Sequence, residues 1–458
     1  MGKKIHAIER IKNDGPFYRK LVRVALPISL QSLIASSLAF VDNLMIGNLG
    51  ETELATVALS TQIYFIFYMM MYGFTGGTIT YMSQYWGVRD LANIRRVAGF
   101  AISVAFGAGL IFFIAAFFFP RQILSFFTDI PQIVDLGVPY IRNSAIIFLT
   151  WSIVIPLTAL LKATQQTSLP LKISIAVFSI NTILAVIFIF GLLGAPRLGI
   201  MGACLAIVTS RIVELFLYIF VIFVRKNIVA APIKEFFTWN KALVGNVIRN
   251  SIPTTMNELI WAAGISMYSV AIGHMGETEI ASFQACNTIL NIVSLFCFSI
   301  GDAMLILVGE KLGAGELEES ITTSKKILKV AVALGIVAGI ILITFSRFIV
   351  VLFNFTPEGE MLTKRLLLVL SCVLFIKVFN STIIVGVLRA GGDARFGMIA
   401  EASTVWLIGV PIAFIFAMVL KLPVYWVVLG IQTEEIVKFF IMLYRYKSRK
   451  WVRNLIDD

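Results

Sequence analysis

The chain has 458 residues, of which 59% are hydrophobic and 14% are charged, and its formal net charge at pH 7 is +12. Soluble domains carry about 25% charged residues, so this composition excludes an ordinary soluble protein and indicates that lipid surrounds most of the chain. A basic excess would suit a nucleic-acid-binding protein, but the cytoplasmic loops of membrane proteins are also rich in Lys and Arg. We therefore expect no nucleic-acid partner.

Apolar runs recur from Leu21 almost to the end of the chain. Each is long enough to cross a hydrocarbon core of ~30 Å, which takes about 20 helical residues. The runs lack the alternating pattern of membrane-spanning strands. We therefore predict an all-α membrane protein with twelve transmembrane helices in two pseudo-symmetric six-helix bundles. The predicted spans are residues 21–46, 54–82, 97–119, 139–162, 170–193, 199–224, 248–273, 280–308, 328–353, 366–388, 396–420 and 423–444.

The basic residues predict how the chain is oriented. Lys and Arg are concentrated before the first span, after the last span and in alternate connections, for example at Arg95, Arg225, Lys325 and Arg445. Basic segments of membrane proteins remain in the cytoplasm. We therefore predict a multi-pass protein of the inner or plasma membrane with both termini cytoplasmic.

The two halves of the chain repeat each other. Residues of the first span and the following loop recur without a gap 226 positions later: Leu26, Pro27, Leu33, Ile34, Gly47, Gly50, Glu51, Thr52, Glu53 and Ala55 correspond to Ile252, Pro253, Leu259, Ile260, Gly273, Gly276, Glu277, Thr278, Glu279 and Ala281. Six spans per half give both halves the same orientation in the membrane. The predicted division is a cytoplasmic N-terminal segment at 1–20, an N-lobe at 21–224, a cytoplasmic linker at 225–247, a C-lobe at 248–444 and a cytoplasmic tail at 445–458.

This organisation predicts a transporter. Two bundles of equal orientation, joined on one side of the membrane, leave a central cleft that suits alternating access to a site at mid-membrane depth. The sequence contains no Walker A loop, HExxH, GxSxG or paired CxxC motif. We therefore expect no enzymatic activity, no cofactor and no metal, and we expect an ion gradient to drive uphill transport.

Asp42 is the main candidate for coupling transport to an ion gradient. It lies late in the first predicted span, about 12 Å from the helix centre at 1.5 Å per residue. An ionised carboxylate is unfavourable at that depth, so a carboxyl group there can exchange a proton near neutral pH. Gln31 and Asn181 are polar residues that could accompany it. The alternative is an acid at the end of a helix, at the membrane surface.

The second half contains several ionisable residues at membrane depth: Glu258, Asp302, Lys377 and Glu401. Such residues face a cavity or a partner of opposite charge. Glu258 and Lys377 lie at similar depth, so a fixed ion pair between them and a role in proton or substrate binding are both open. Two further pairs, Arg211 with Glu214 and Glu435 with Lys438, are three residues apart and should share a helix face as structural pairs.

Other candidates for the wall of the cleft are polar or aromatic. Aromatic faces suit flat or cationic organic molecules, although core or lipid-facing positions explain the same residue types. These candidates are Gln31, Tyr64, Tyr68, Asn257, Trp261, Tyr268 and Phe283.

Over nearly its full length the chain resembles the multidrug and toxic compound extrusion (MATE) family. The resemblance is carried by ALP at 25–27 leading to VDNLMIGNLG at 41–50, SQYWG at 83–87, GACLA at 202–206 and RAGGD at 389–393. It implies a V-shaped antiporter of twelve helices that exports cationic drugs or metabolites in exchange for protons or sodium.

The resemblance also implies roles for particular residues. Asp42 would be the cation-coupling acid of the N-lobe, and Asn181 would be its polar partner. Many members carry an acid one turn after that asparagine, where this chain has Ala185, and the position of a threonine in the sixth span holds Ile207. These departures remove oxygen ligands from a sodium site, so protons are favoured as the coupling ion and sodium remains possible.

The sequence thus favours a secondary active antiporter that exports small organic molecules by alternating access and acts as a monomer. The alternative within the same superfamily is a lipid-linked oligosaccharide flippase, which would need a basic cavity for pyrophosphate. A membrane-embedded enzyme is the third hypothesis, and it lacks a catalytic constellation.

Overall fold

The computed structural model describes the backbone of residues 2–351 and 356–457 and the side chains of residues 15–346, 348 and 356–457. Throughout this part of the chain the regular structure is helical, without strands. The fold is that of an all-α membrane protein with two six-helix bundles, as the apolar runs predict.

The first half consists of two long helices followed by shorter ones. Prolines occupy the first turn of α4 and α5, where the missing N–H is not needed, and Asp90 caps α3 by accepting a hydrogen bond from the Asn93 N–H at 3.0 Å. The helices are α1 (Gly2–Gly47), α2 (Glu51–Gly87), α3 (Leu91–Phe118), α4 (Pro120–Phe127), α5 (Pro131–Ser144), α6 (Ile146–Ala163), α7 (Ser168–Phe190) and α8 (Ile200–Ile219).

The second half follows a short linker helix, α9 (Ile233–Phe236). π-helical turns extend or interrupt α8, α13, α14 and α15 at Phe220–Val224, Thr382–Leu388, Val405–Gly409 and Ile415–Val419. The helices are α10 (Lys241–Gly273), α11 (Glu277–Gly313), α12 (Leu317–Val351), α13 (Pro357–Ser381), α14 (Ala394–Thr404), α15 (Val410–Phe414), α16 (Val424–Ile431) and α17 (Thr433–Lys447).

Two helices begin before the predicted membrane spans. Helix α10 begins at Lys241, ahead of the span predicted from residue 248, because the Asn240 side chain accepts a hydrogen bond from the Leu243 N–H at 2.8 Å and caps the helix there. Helix α1 begins at Gly2, ahead of the span predicted from residue 21. Residues 352 and 353 of the ninth predicted span lie outside the described residues.

Ten helices of the described chain are long and apolar enough to span a membrane. Helix α10 and the pair α16–α17 complete the twelve. Helix α10 contains Asn257 and Glu258 at its middle, which makes it more polar than the others. The last span is divided at Gln432 into two short helices.

The internal repeat is visible in the backbone. Gly50 and Gly276, which correspond in the two halves, have φ angles of 153° and 154°. Residues with a side chain rarely adopt these angles. Each glycine is followed by a helix of 37 residues, α2 or α11.

The halves close against each other at one end of the bundle, which we call the linker end because the linker lies there. The backbones of α2 and α10 nearly touch: a Cβ atom on Gly73 would lie 2.6 Å from Thr255 Cα, and one on Gly77 would lie 2.5 Å from Ser251 Cα. Small residues permit such an approach between membrane helices. The contact therefore leaves no space for a side chain.

Helix α11 extends this closure to the very end of α2. A Cβ atom on Gly87 would lie 2.7 Å from the Ala314 nitrogen and would also collide with the Glu310 carbonyl oxygen. The Glu310 side chain accepts hydrogen bonds from Lys20 of α1 at 2.6 Å and from Gln165 at 2.7 Å. Charge pairing and backbone packing thus join the halves at the same end.

The tail after α17 packs across the linker end, which the sequence did not predict. Gln84 of α2 donates hydrogen bonds to the carbonyl groups of Ala390 at 2.8 Å and Arg453 at 3.3 Å, and its oxygen accepts from the Leu455 N–H at 2.7 Å. Trp451 is fully buried and stacks on Tyr446. The tail therefore connects the second half to the first.

Replacing Gly87 by Val should prevent closure of the linker end, because a side chain at this position would collide with α11. We expect the accessibility of position 254, which is 1% exposed in the parent, to rise. The measurement is the labelling of a Thr254→Cys variant with a water-soluble maleimide in an otherwise cysteine-free background. We expect labelling to be at least about tenfold faster, the size of a typical population shift between coupled states.

The control for this variant is Gly107→Val, because Gly107 is exposed and a Cβ atom there would have no neighbour within 4 Å. Equal labelling in the Gly87→Val variant and this control would show that the contact does not hold the end closed.

Candidate functional site

Three helices of the first half bring polar groups together around Asp42. Asn181 of α7 donates a hydrogen bond to Asp42 Oδ1 at 2.9 Å, and its own oxygen accepts one from the Ser210 hydroxyl of α8 at 3.2 Å. Asp42 is half-buried, whereas Asn181 is 1% exposed. Asp42 and Asn181 are thus in direct contact. The sequence did not predict the contribution of Ser210, although its position beside Arg211 in a membrane span could have indicated it.

Asp42 lies far from the closed end of the bundle. It follows Lys20, which contacts Glu310 at the linker end, by 22 residues of α1. At 1.5 Å per residue this separation is about 33 Å along the helix. The carboxylate therefore lies toward the opposite end, where it is partly exposed.

Arg211 lies beside this cluster and is itself paired. Its guanidinium group donates a hydrogen bond to Glu214 at 2.7 Å and lies 5.0 Å from the centre of the Trp151 ring. The predicted sharing of a helix face by Arg211 and Glu214 is confirmed. The pair neutralises the arginine at membrane depth.

The positions where an acid or a threonine is missing are apolar in the structure. Ala185 is 1% exposed and belongs to a hydrophobic cluster with Ile46 and Ile189. Ile207 packs against a second cluster that contains Phe148. Neither side chain carries an oxygen atom that could serve as a ligand.

Aromatic side chains lie between Asp42 and the closed end. Tyr68 is 41% exposed, stacks on Tyr72 and lies 6.0 Å from Trp151 between ring centres. The Tyr72 hydroxyl donates a hydrogen bond to Asp302 of α11 at 3.0 Å. These groups form an aromatic surface with an acidic residue at its inner edge.

Glu258 does not pair with Lys377. It forms an ion pair with Arg389, which follows the π-helical turn after α13. Both side chains are buried, and Arg389 also lies against Gly76 of α2. The pair therefore joins two helices of the second half at the point where α10 meets the first half.

The remaining candidates occupy different environments. Tyr64, Tyr268 and Phe283 are buried in hydrophobic clusters, with Tyr64 hydrogen-bonded to Ser144 at 2.6 Å. Gln31 and Trp261 are half-buried. Asn257 donates a hydrogen bond to Glu401 at 2.8 Å, in a group that also includes Lys438. Tyr64, Tyr268 and Phe283 are thus buried side chains, whereas Gln31 and Trp261 are partly exposed.

The architecture and the site together define a class of protein. Two repeated halves meet at one end of the bundle, and acidic, amide and aromatic groups lie at membrane depth between that closure and the opposite end. This is the arrangement of a secondary transporter. The MatE family model matches residues 27–187 and 253–415, one stretch in each half. The chain belongs to this family of transporters.

Individual relatives agree with this assignment along the whole chain. An uncharacterized transporter of Bacillus subtilis, YisQ, is 23% identical over 434 residues, which cover 94% of this chain and 95% of YisQ. YoeA of the same organism, described as a probable multidrug resistance protein, is 23% identical with coverage of 97% and 96%.

A solved structure has the same fold. The outward-facing conformation of a multidrug resistance MATE family transporter superimposes with a TM-score of 0.85, at 18% sequence identity. The superposition covers 94% of this chain and 96% of the other.

Removing one partner of the buried pair should destabilise the protein. The Arg389→Met variant leaves Glu258 buried without a counter-charge, which should lower the free energy of unfolding by about 3–5 kcal/mol. The double variant Arg389→Met/Glu258→Leu removes both charges and should recover most of that loss. The measurement is thermal or chemical unfolding of the purified protein in detergent.

The exposed pair of Arg121 and Asp135, at 2.6 Å, provides the control. Its Arg121→Met variant should change the free energy of unfolding by less than about 1 kcal/mol. A similarly small change in Arg389→Met would contradict a structural role for the buried pair.

Proposed function

We propose that this transporter exports small organic cations from the cell in exchange for protons by alternating access. The observation that carries the proposal is the contact of Asp42 with Asn181 at 2.9 Å, on the side of the membrane opposite the closed end. A carboxyl group in this position can bind a proton from the outer solution. Movement of the halves would then carry the proton inward and the substrate outward.

The proposed orientation places the linker end in the cytoplasm, with both termini on that side. The basic segments of the sequence favour this orientation, and α1 residue Lys20 and tail residue Leu455 both lie at the linker end. The structure then corresponds to the outward-open state.

Protons are the favoured coupling ion. Sodium is bound by several oxygen ligands, as other hard cations are. The neighbouring positions Ala185 and Ile207 supply none, and the Asn181 amide donates to Asp42 through its nitrogen. A proton needs only the carboxylate, and the amide can remain in contact with it in either state.

Cationic substrates are favoured by aromatic and acidic groups that lie between Asp42 and the closed end. Tyr68, Tyr72 and Trp151 present aromatic faces, which attract organic cations, and Asp302 adds a negative charge. The description of YoeA as a probable multidrug resistance protein is consistent with such substrates.

A lipid-linked oligosaccharide flippase is less favoured by the same geometry. Binding of pyrophosphate needs unpaired basic groups, whereas Arg211 is paired with Glu214 and Arg389 with Glu258. The two arginines are therefore already neutralised.

The test is efflux of fluorescent cationic dyes from proteoliposomes with imposed pH or sodium gradients. Asp42→Asn should reduce pH-driven efflux by more than about tenfold, because an amide cannot exchange the proton that couples the halves. Asp129→Asn, at an exposed acid, is the matched control and should transport normally.

Three outcomes would contradict the proposal. Full transport by Asp42→Asn would remove Asp42 from the coupling step. Transport driven by sodium alone would exclude protons as the coupling ion. Failure to move any cation would favour the flippase.

A further inference from the structure

A buried lysine of the second half is surrounded by acidic residues that the proposed function does not use. Lys438 of α17 is 1% exposed, and its ammonium nitrogen lies 3.4 Å from one oxygen of each of Glu401, Glu434 and Glu435. Glu401 belongs to α14 and the other two to α17. We call these four residues the Lys438 cluster.

Other helices complete the surroundings of the three carboxylates. The second oxygen of each accepts a hydrogen bond from a neutral side chain of α10 or α13: Asn257 donates to Glu401 at 2.8 Å, Tyr268 donates to Glu434, and Asn380 donates to Glu435 at 2.7 Å. Gly409 makes room for one of these bonds, because a Cβ atom there would collide with Tyr268 and Glu434. The cluster is therefore a built site and not a chance group of acids.

The charges of this site do not balance. The charged residues of neighbouring helices that face it are Lys377, which attracts Glu435, and Glu258, which is already paired with Arg389. Three acidic groups thus face two lysines, and Lys377 is half-exposed. An uncompensated negative charge inside a membrane protein is unfavourable. Binding of one proton would remove this excess negative charge. A metal ion would have no space, because the Lys438 ammonium group already lies between the carboxylates.

One amide identifies where that proton binds. Asn257 is only 5% exposed, and its nitrogen contacts Glu401. Its oxygen is also buried but has no hydrogen-bond partner. An amide can donate to a carboxylate through its nitrogen or, after rotation, accept from a carboxylic acid through its oxygen. Asn257 therefore suits both protonation states of Glu401. The Asn380 oxygen is also buried without a partner, but rotation of this amide would break two bonds, because its nitrogen donates both to the Glu435 carboxylate and to the Glu435 carbonyl at 2.9 Å.

The same helix leads from Glu401 to the contact between the halves. Asn257 precedes Glu258 in α10, and the Cγ atom of Glu258 lies 3.1 Å from the position that a Cβ atom on Gly73 would occupy. A change in the hydrogen bond between Asn257 and Glu401 thus acts on the part of α10 that packs against α2.

We propose that Glu401 is a second proton-binding site, located in the second half, and that its binding and release of a proton are coupled to closure of the linker end by the hydrogen bond with Asn257. The inference rests on the proposed function only in that the proton would contribute to the transport cycle. The site itself does not require Asp42.

The test is infrared difference spectroscopy of the full chain in lipid between acidic and alkaline pH, recorded in H₂O and D₂O. A carboxylic acid that exchanges its proton gives a C=O band that disappears on deprotonation. Asp42 gives a band of its own under the proposed function, so the comparison is made in the Asp42→Asn background. We expect the Glu401 band in Asp42→Asn, and we expect the double variant Asp42→Asn/Glu401→Gln to lack it. The exposed acid Glu358 provides the control Asp42→Asn/Glu358→Gln, which should retain the band.

A second variant tests the role of the amide while it keeps the acid. In Asn257→Leu the protonated Glu401 loses its acceptor, so its band should shift in frequency, and pH-driven efflux should fall by about tenfold, as expected for loss of a coupling interaction. A band that is unchanged between Asp42→Asn and Asp42→Asn/Glu401→Gln would overturn the inference, and an unshifted Glu401 band in Asn257→Leu would overturn the role of the amide. A Glu401 band in a protein that shows no proton-driven efflux would refute the proposed function and leave the site in place.

Discussion

The close backbone contact of α2 with α10 and α11 is the constraint on which the rest of the structure depends. Gly73, Gly77 and Gly87 allow this contact because a Cβ atom at each would collide with the opposite half. In lipid, helices associate through packing and hydrogen bonds because burial of apolar surface gives little advantage. The absence of side chains at these positions therefore determines which end of the bundle is closed. It also places Asp42 on the partly exposed side.

Charge pairing determines how the halves themselves are assembled. Ionised groups in a membrane need partners, and the arginines at depth have them: Arg211 with Glu214 inside α8, and Arg389 with Glu258 between helices. The first pair lies within one helix, so this ion pair does not connect helices of the first half. The second pair connects the π-helical turn of one span to the centre of another. The halves are thus related by sequence repeat but differ in their electrostatic organisation.

The sequence predicts the helices and the repeat, because hydrophobicity and offset are properties of a linear pattern, and the resemblance to the family implies the pairing of Asp42 with Asn181. The partner of Glu258 could not be predicted in the same way. The depth of a residue in the membrane does not decide whether Lys377 or Arg389 pairs with Glu258. The π-helical turn between them changes the helix face on which later residues lie. The same limitation applies to Ser210 and to the Lys438 cluster, whose members come from several helices. The packing of the tail could not be predicted, because the polar composition of the tail resembles that of cytoplasmic segments in general.

The position of the tail also affects how the protein is made. Residues 451–455 are synthesised after every membrane-spanning helix, yet Leu455 and Arg453 bind Gln84 of the second helix. Both bundles would therefore be inserted in the membrane before the last contact across the linker end can form. A segment that follows the described helices in the chain thus joins the two halves, so these helices can all be present in a nascent chain while the join between them is still unfinished.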